Sequence, residues 1–176
     1  LGPLKLREIK GGKKAIKAYV RATMQDLHRD MNFETGMRLF LVGGSWRAIA
    51  RIDMERRSYP LTVLHEYRMS SRQISMTAEY IRKSDLTELR GRCHISDSRM
   101  SLVPLAAIVL KELIRTFKPK DVAVSSYGIR EGMLYEQMPR ALRERDPLIE
   151  SCRFAENKDA RLPGFGRILY DFVKPL

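Results

Sequence analysis

LFLVGGSWRAIARI, residues 39 to 52, joins a short apolar run, two glycines, a serine and an arginine-bearing segment. A run of β-prone residues that breaks on Gly43 and Gly44 reads as a strand ending in a tight loop. Trp46, Ile49, Ala50 and Met54 then recur at helical spacing up to about Arg57, which predicts a helix with one buried face. Ser45 is the residue expected to cap it. Strand, glycine loop and helix form the repeating unit of α/β sheets, whose ligands sit at the strand C-terminal ends. Glycines let the backbone approach a ligand, and a helix N-terminus offers N–H groups to an anion. Arg47 falls in the first turn, with Arg51 one turn further along the same face. The same residues would equally serve as a tight turn packed on a neighbour.

A comparable unit recurs at VAVSSYGIREGMLYE, residues 122 to 136. Asp121 to Ser126 is a second strand candidate, and Arg130 to Met138 reads as helical. Arg130 and Glu131 at a helix start could hold an anion and cap the helix respectively, or pair with residues at a seam. Gly132 inside a helix is expected to permit close helix approach, since it costs about 1 kcal/mol against alanine.

Elsewhere, Lys13 to Met31 places Ile16, Tyr19, Val20, Thr23, Met24, Leu27 and Met31 on one helical stripe. Met37 to Val42 is the first strand candidate, and Tyr59-Pro60 breaks the helix that follows it. Leu61 to Tyr67 (LTVLHEY) is β-prone but ambiguous, and Arg72 to Lys83 and Leu86 to Gly91 suggest two short helices. Ser96 and Asp97 cap a long apolar helix expected from about Asp97 to Phe117, with Pro104 kinking it or marking a boundary. Gly164 to Val173 reads as the start of another helix, expected to be cut off soon after Pro175. Two or three strands are few for such a sheet, so further strands are expected from outside the segment or from a partner chain.

Composition narrows the partners. Thirty-three Lys and Arg against 21 Asp and Glu give a net charge of +12, which favours an anionic partner. Aromatic residues make up only 8% and do not interleave with arginines, which disfavours nucleic acid. No uninterrupted apolar stretch is long enough to span a membrane; the longest, Leu102 to Leu110, reads as a buried helix. Cys93 and Cys152 lack metal-ligand spacing and suggest two ordinary thiols in a reducing cytoplasm. His28, His65 and His94 have no carboxylate or thiol at useful spacing and read as structural or solvated.

Five segments resemble the Ppx/GppA phosphatase family, in the family's order. LGPLKLRE resembles the stretch after its second phosphate loop, and LVGGSWRAIARI its Gly-rich loop and helix. SDSRMSLVPLAAIVL resembles an S-x-x-R-x-x-x-L-P-A helix, and SSYGIREGMLYE the S-x-x-G-[LI]-R-E-G-x-L signature. PGFGRILYDFVKPL resembles the entry to the helical C-terminal region of the longer members, as in bacterial exopolyphosphatases.

That resemblance implies an actin-like ATPase fold with two RNase-H-like lobes and an active site in the cleft. Residues 1–139 would be the second lobe, with an incomplete sheet and flanking helices. Residues 140–176 would be a linker and the start of a helical extension. The family's first phosphate loop, its general-base glutamate and its D-x-G-G-G-S loop have no counterpart here, so no catalytic residue is assigned, and Glu66 and Glu131 are not promoted to that role.

The implied activity of the parent protein is that of an exopolyphosphatase, hydrolysing a terminal phosphate from polyphosphate or guanosine pentaphosphate with Mg²⁺ as cofactor. No metal ligand is identified in this segment. Gly43, Gly44, Ser45 and Arg47 would then bind phosphate, and Gly128, Arg130, Glu131 and Gly132 would form an interlobe hinge. The expected partners are a polyphosphorylated anion, the missing first lobe and, in a homodimer, a second copy; no membrane partner is expected. A non-catalytic, anion-binding regulatory module is the alternative, and the charge alone keeps a nucleic-acid-binding domain as a third.

Overall fold

The computed structural model describes residues 2–31, 33–34 and 36–174; Leu1, Pro175 and Leu176, which the expectations above include, lie outside them. The chain divides into two compact units, Leu1–Gly128 and Ile129–Leu176.

In the first unit the order is α1 (Pro3–Leu6), α2 (Gly12–Asp30), β1 (Leu39–Val42), α3 (Gly44–Arg56), β2 (Tyr67–Met69), α4 (Ser71–Lys83), α5 (Leu86–Arg92), α6 (Asp97–Met100), α7 (Val103–Phe117) and β3 (Val122–Ser125). Among the described residues the strands form one sheet in the order β1-β3-β2. β1 runs parallel to β3, with Leu39 opposite Val122 and Val42 opposite Ser125. β2 runs antiparallel to β3, with Tyr67 opposite Val124. Val122, Ala123 and Val124 of the central strand are fully buried; Val122 and Val124 join the core, whereas Phe40 and Arg68, the partners of Ala123 on the flanking strands, are exposed.

The larger core lies between the sheet and α3, α4 and α7, around Ile49, Ile52, Met69, Ile74, Val103 and Leu110. A smaller one joins α1 and α2 to the outer side of α7 through Leu6, Ile16, Val20, Met24, Val109 and Phe117. Trp46 is partly buried against both.

Several expectations need correction. Helix α3 starts at Gly44, so Ser45 lies inside it; the cap position is Gly43 and carries no side-chain cap. Of LTVLHEY only Tyr67 is in a strand, because pairing with β3 begins there and runs on to Met69. The long helix expected from Asp97 is two, α6 and α7, since Pro104 sits in the first turn of a new helix, where its missing N–H costs nothing. On α2 only Ile16, Val20 and Met24 are buried; Tyr19, Leu27 and Met31 are exposed. The stripe is narrower than expected because α2 packs chiefly on one helix, α7, rather than on the sheet.

A buried carboxylate binds three elements together. Asp53 of α3 is fully buried; its Oδ1 accepts from Thr77 Oγ1 of α4 at 2.5 Å and from Arg56 Nη2 at 2.6 Å. Its Oδ2 accepts from the hydroxyl of Tyr67 in β2 at 2.7 Å, and Arg57 lies 3.6 Å away. An ionised group at this depth is tolerated only when its lone pairs are filled in this way. Burial, and then the bond to Asp53, push the Tyr67 hydroxyl up to about 12.

The second unit contains α8 (Ile129–Gln137), α9 (Arg140–Arg143), α10 (Pro147–Asp159) and α11 (Phe165–Val173). Asp146 caps α10 through the N–H groups of Leu148 and Ile149, and Glu156 of α10 accepts from Gly166 N–H at 2.7 Å. Within the second unit, apart from its chain neighbours and the backbone of its own helix, no described atom stands within 4 Å of the place a Cβ would take at Gly132.

Candidate anion-binding site

The loop between β1 and α3 shows what the two glycines do. Gly43 has φ +132° and ψ 163°, a conformation open essentially to glycine alone. Gly44 has an ordinary helical backbone, but a Cβ there would stand 2.9 Å from Nε of Arg99 and 3.2 Å from its Cζ. The first glycine turns the chain; the second makes room for a guanidinium.

Arg99, carried by α6, thus lies across the N-terminus of α3. Arg47, from the first turn of α3, donates through Nη1 to the carbonyl of Ser126 at 2.9 Å, just past the end of β3. Arg51, one turn on, donates to the carbonyl of His94 at 3.3 Å. These three arginines, with Ala48, Leu64, Ile95 and Ser126, line a cavity of about 300 Å³. It sits at the C-terminal ends of the parallel strands β1 and β3, where open α/β sheets bind ligands.

The lining holds three permanent positive charges and no carboxylate. Arg47 spends one N–H on a backbone carbonyl and so is held in place, with other donors of its fork left to meet a ligand. Helix α3 adds its own N-terminus, with no acidic residue in the first turn and no side-chain cap to compete with an anion. Of α7 the same holds: no acid in its first turn and no capping side chain. At the mouth, His65 Nδ1 accepts from Ser126 N–H at 3.4 Å, and its ring packs edge-on against Tyr127. Such a site suits an oxyanion with several charges, a phosphate before a carboxylate.

A larger, more open cavity of about 540 Å³ lies among Gln25, His28, Arg29 and Thr116. It has no converging charges, and His28 packs against the Phe117 ring, which gives that histidine a packing role.

The residues expected to bind phosphate therefore divide. Gly43, Gly44 and Arg47 form one loop and helix start, Arg47 lines the cavity, and Ser45 is half-buried within the first turn of α3. Arg99, Ser126 and Leu64 were not assigned to the site from sequence, and His65 was read there as structural or solvated. Arg99 had a signal, the arginine of SDSRMSLVPL, but its contact with Gly44 joins segments that local patterns keep apart. Of the hinge candidates, Gly128 ends the first unit, and Arg130, Glu131 and Gly132 are exposed residues of α8.

The cavity does not fit magnesium, which takes oxygen ligands. Three guanidiniums would repel a cation, and among the described residues no group of three or more His, Cys, Asp or Glu is placed to hold one. Cys93 is buried, and burial raises its thiol to about 11, which keeps it protonated at neutral pH. No helix among the described residues is long and apolar enough to cross a membrane.

Known proteins share this architecture. The Ppx/GppA phosphatase from Aquifex aeolicus superposes with a TM-score of 0.62 at 17% identity, covering 78% of this chain and 47% of that one. An exopolyphosphatase from Cytophaga hutchinsonii gives 0.57 at 16% identity, covering 68% and 40%. Retrograde regulation protein 2 of Saccharomyces cerevisiae is 25% identical over 136 residues, 73% of this chain and 23% of its own length. The chain thus spans about half the length of the Aquifex structure and about a quarter of the yeast relative. Its fold is that of the Ppx/GppA structures, an actin-like ATPase fold built here on a small mixed sheet. The family model for Ppx/GppA phosphatases matches residues 7–141, and the chain belongs to that family.

Proposed function

We propose that this chain supplies the anion-binding side of an exopolyphosphatase-type hydrolase, with the cavity at the ends of β1 and β3 holding the phosphates of the substrate. The observation that carries this reading is the cavity lining itself: Arg47, Arg51 and Arg99 converge with no carboxylate among them. Water attacks the terminal phosphorus, the bridging P–O bond breaks, and the shortened chain leaves with the bond's electron pair. Charge spreads over the equatorial oxygens as this happens, and preorganised cations stabilise it. Arg47 and Arg99 contribute that binding and orientation. Removal of the proton from water requires a base; no carboxylate lines this cavity, so we assign that role to a residue outside its lining. Linear polyphosphate is the proposed substrate, with guanosine pentaphosphate sharing the same terminal chemistry.

A non-catalytic regulatory module is the second reading. It is favoured by the absence of a base in the cavity and by the yeast relative, whose name describes a regulatory protein.

Phosphate release from long-chain polyphosphate with Mg²⁺, measured for the intact parent protein and for this segment, tests both. Release by the parent alone supports the hydrolase. Release by neither, with polyphosphate still bound, supports the regulatory module. Release by the segment alone contradicts the absence of a base. Within the intact protein, Arg47→Glu is expected to weaken polyphosphate binding by about tenfold or more, a charge-assisted contact being worth about 1.5–3 kcal/mol. Unchanged affinity at low salt removes Arg47 from the site.

A further inference from the structure

The positive charge is unevenly distributed. Residues 129–176 carry nine Lys and Arg against eight Asp and Glu, so nearly all the net +12 belongs to residues 1–128. Its densest run is Lys5, Arg7, Lys10, Lys13, Lys14, Lys17 and Arg21 across α1 and α2, with Glu8 as the one acid between them. All seven cations are exposed. Arg21 pairs with Glu112, and among the described residues the five lysines make no ion pair. The second half of α2 is different: Asp26 pairs with Arg29, and Asp30 ends the helix.

This gradient has a direction relative to the cavity. Contacts rise together along the two stretches: Arg7, at the end of α1, donates to the carbonyl of Ser101, at the end of α6, at 3.0 Å; then, between α2 and α7, Arg21 meets Glu112 at 3.3 Å and His28 packs on Phe117. The two helices therefore run the same way. Helix α7 leads back to the start of β3, so its N-terminus lies at the strands' C-terminal ends, beside α6 and Arg99. The lysine-rich half of α2 is consequently the half at the cavity end. Its N-terminus, too, has no side-chain cap and no acid in its first turn. In this unit the long helices α2, α3 and α7 all present uncapped N-termini at that end. Helix α4, which starts after the antiparallel strand β2 at the opposite end, has a full capping box of Ser70 and Gln73.

We propose that the exposed cations of α1 and the first half of α2 form a second contact surface for the same polyanion, taking up the part of a long phosphate chain that extends beyond the cavity. This rests on the phosphate-chain reading of the cavity. Lys13 to Arg21 alone run about 12 Å along the helix axis, so the surface engages a long chain and leaves a short one untouched. Flexible lysines suit a chain with charge at every unit and no fixed pose, whereas the cavity's arginines grip its end. The surface acts as an electrostatic rail that sets preference for chain length.

The test compares binding of long-chain polyphosphate and tripolyphosphate to the intact protein over about 50 to 200 mM salt. The variant is Lys13→Gln, Lys14→Gln and Lys17→Gln together; glutamine is a good helix former, and these side chains are exposed. A control removes the same charge elsewhere, through Lys158→Gln, Arg161→Gln and Lys174→Gln. The expected result is roughly tenfold weaker binding of the long chain, a log–log salt slope flatter by about 2, and unchanged tripolyphosphate affinity. The control should behave as wild type. Unchanged long-chain binding, or an equal loss in the control, overturns the surface while leaving the cavity reading intact. A wild-type protein that binds neither ligand overturns both. A variant that loses single-stranded nucleic acid while keeping polyphosphate assigns the surface to nucleic acid and overturns the proposal.

Discussion

Gly43 and Gly44 are neighbours with different physical reasons for having no side chain, and substitution separates them. Gly43→Ala forces a Cβ into the conformation at φ +132° and should destabilise the protein by about 1–3 kcal/mol. Gly44→Ala keeps an acceptable helical backbone and should change stability by less than about 1 kcal/mol. Its Cβ would displace the Arg99 guanidinium from 2.9 Å, so phosphate-chain affinity should fall severalfold in a protein that melts normally. Melting curves and binding isotherms on the two variants check this; equal effects of both on both readouts would contradict the division of roles. The glycine pair was legible in the sequence as a loop, and Arg47 as a residue of the following first turn. Which glycine bends and which makes room was not legible, because it depends on Arg99 arriving from a distant element. The place of His65 beside Ser126 was not legible for a similar reason: it approaches Ser126 only because β2 pairs with β3.

Among the elements, α3, β2 and α4 are tied by Asp53, and their cohesion should carry an alkaline signature. Tyr67 has its hydroxyl raised from 10.0 to about 12, so the folded state holds that proton more tightly than the unfolded chain does. The stability this represents is complete below pH 10 and is lost as pH rises toward about 12. Tyr67→Phe should abolish that part of the alkaline loss. At neutral pH it should cost about 1–3 kcal/mol, because Asp53 loses a donor in a buried site. Denaturant unfolding of both proteins at neutral pH and across the alkaline range measures the two effects; an unaltered alkaline profile would count against the network. Element types were largely legible: the periodic stretches gave α2, α3, α4, α5 and α7, and the apolar runs before loops gave β1 and β3. Those misjudged were decided by tertiary contacts. LTVLHEY had β-prone residues throughout, yet only the part that reaches β3 became a strand. The break between α6 and α7 was visible in Pro104, which local pattern alone left as either kink or boundary.

At the scale of the whole molecule, the charge asymmetry and the uncapped helix ends describe one electropositive end, with a cavity at its strand termini. Affinity for a phosphate chain should therefore fall steeply with salt, with a log–log slope that counts the cations engaged. The net charge was plain from composition, but its concentration at the cavity end follows from the parallel packing of α2 on α7, which no local pattern announces. The direct measurement is an NMR titration of the protein with tripolyphosphate, following the arginine Nε–H and backbone amide resonances. The account predicts saturable shifts at Arg47, Arg51, Arg99, Gly43 and Gly44, with the arginines of residues 129–176 unmoved. Uniform small shifts of all arginines, or shifts centred elsewhere, would contradict it.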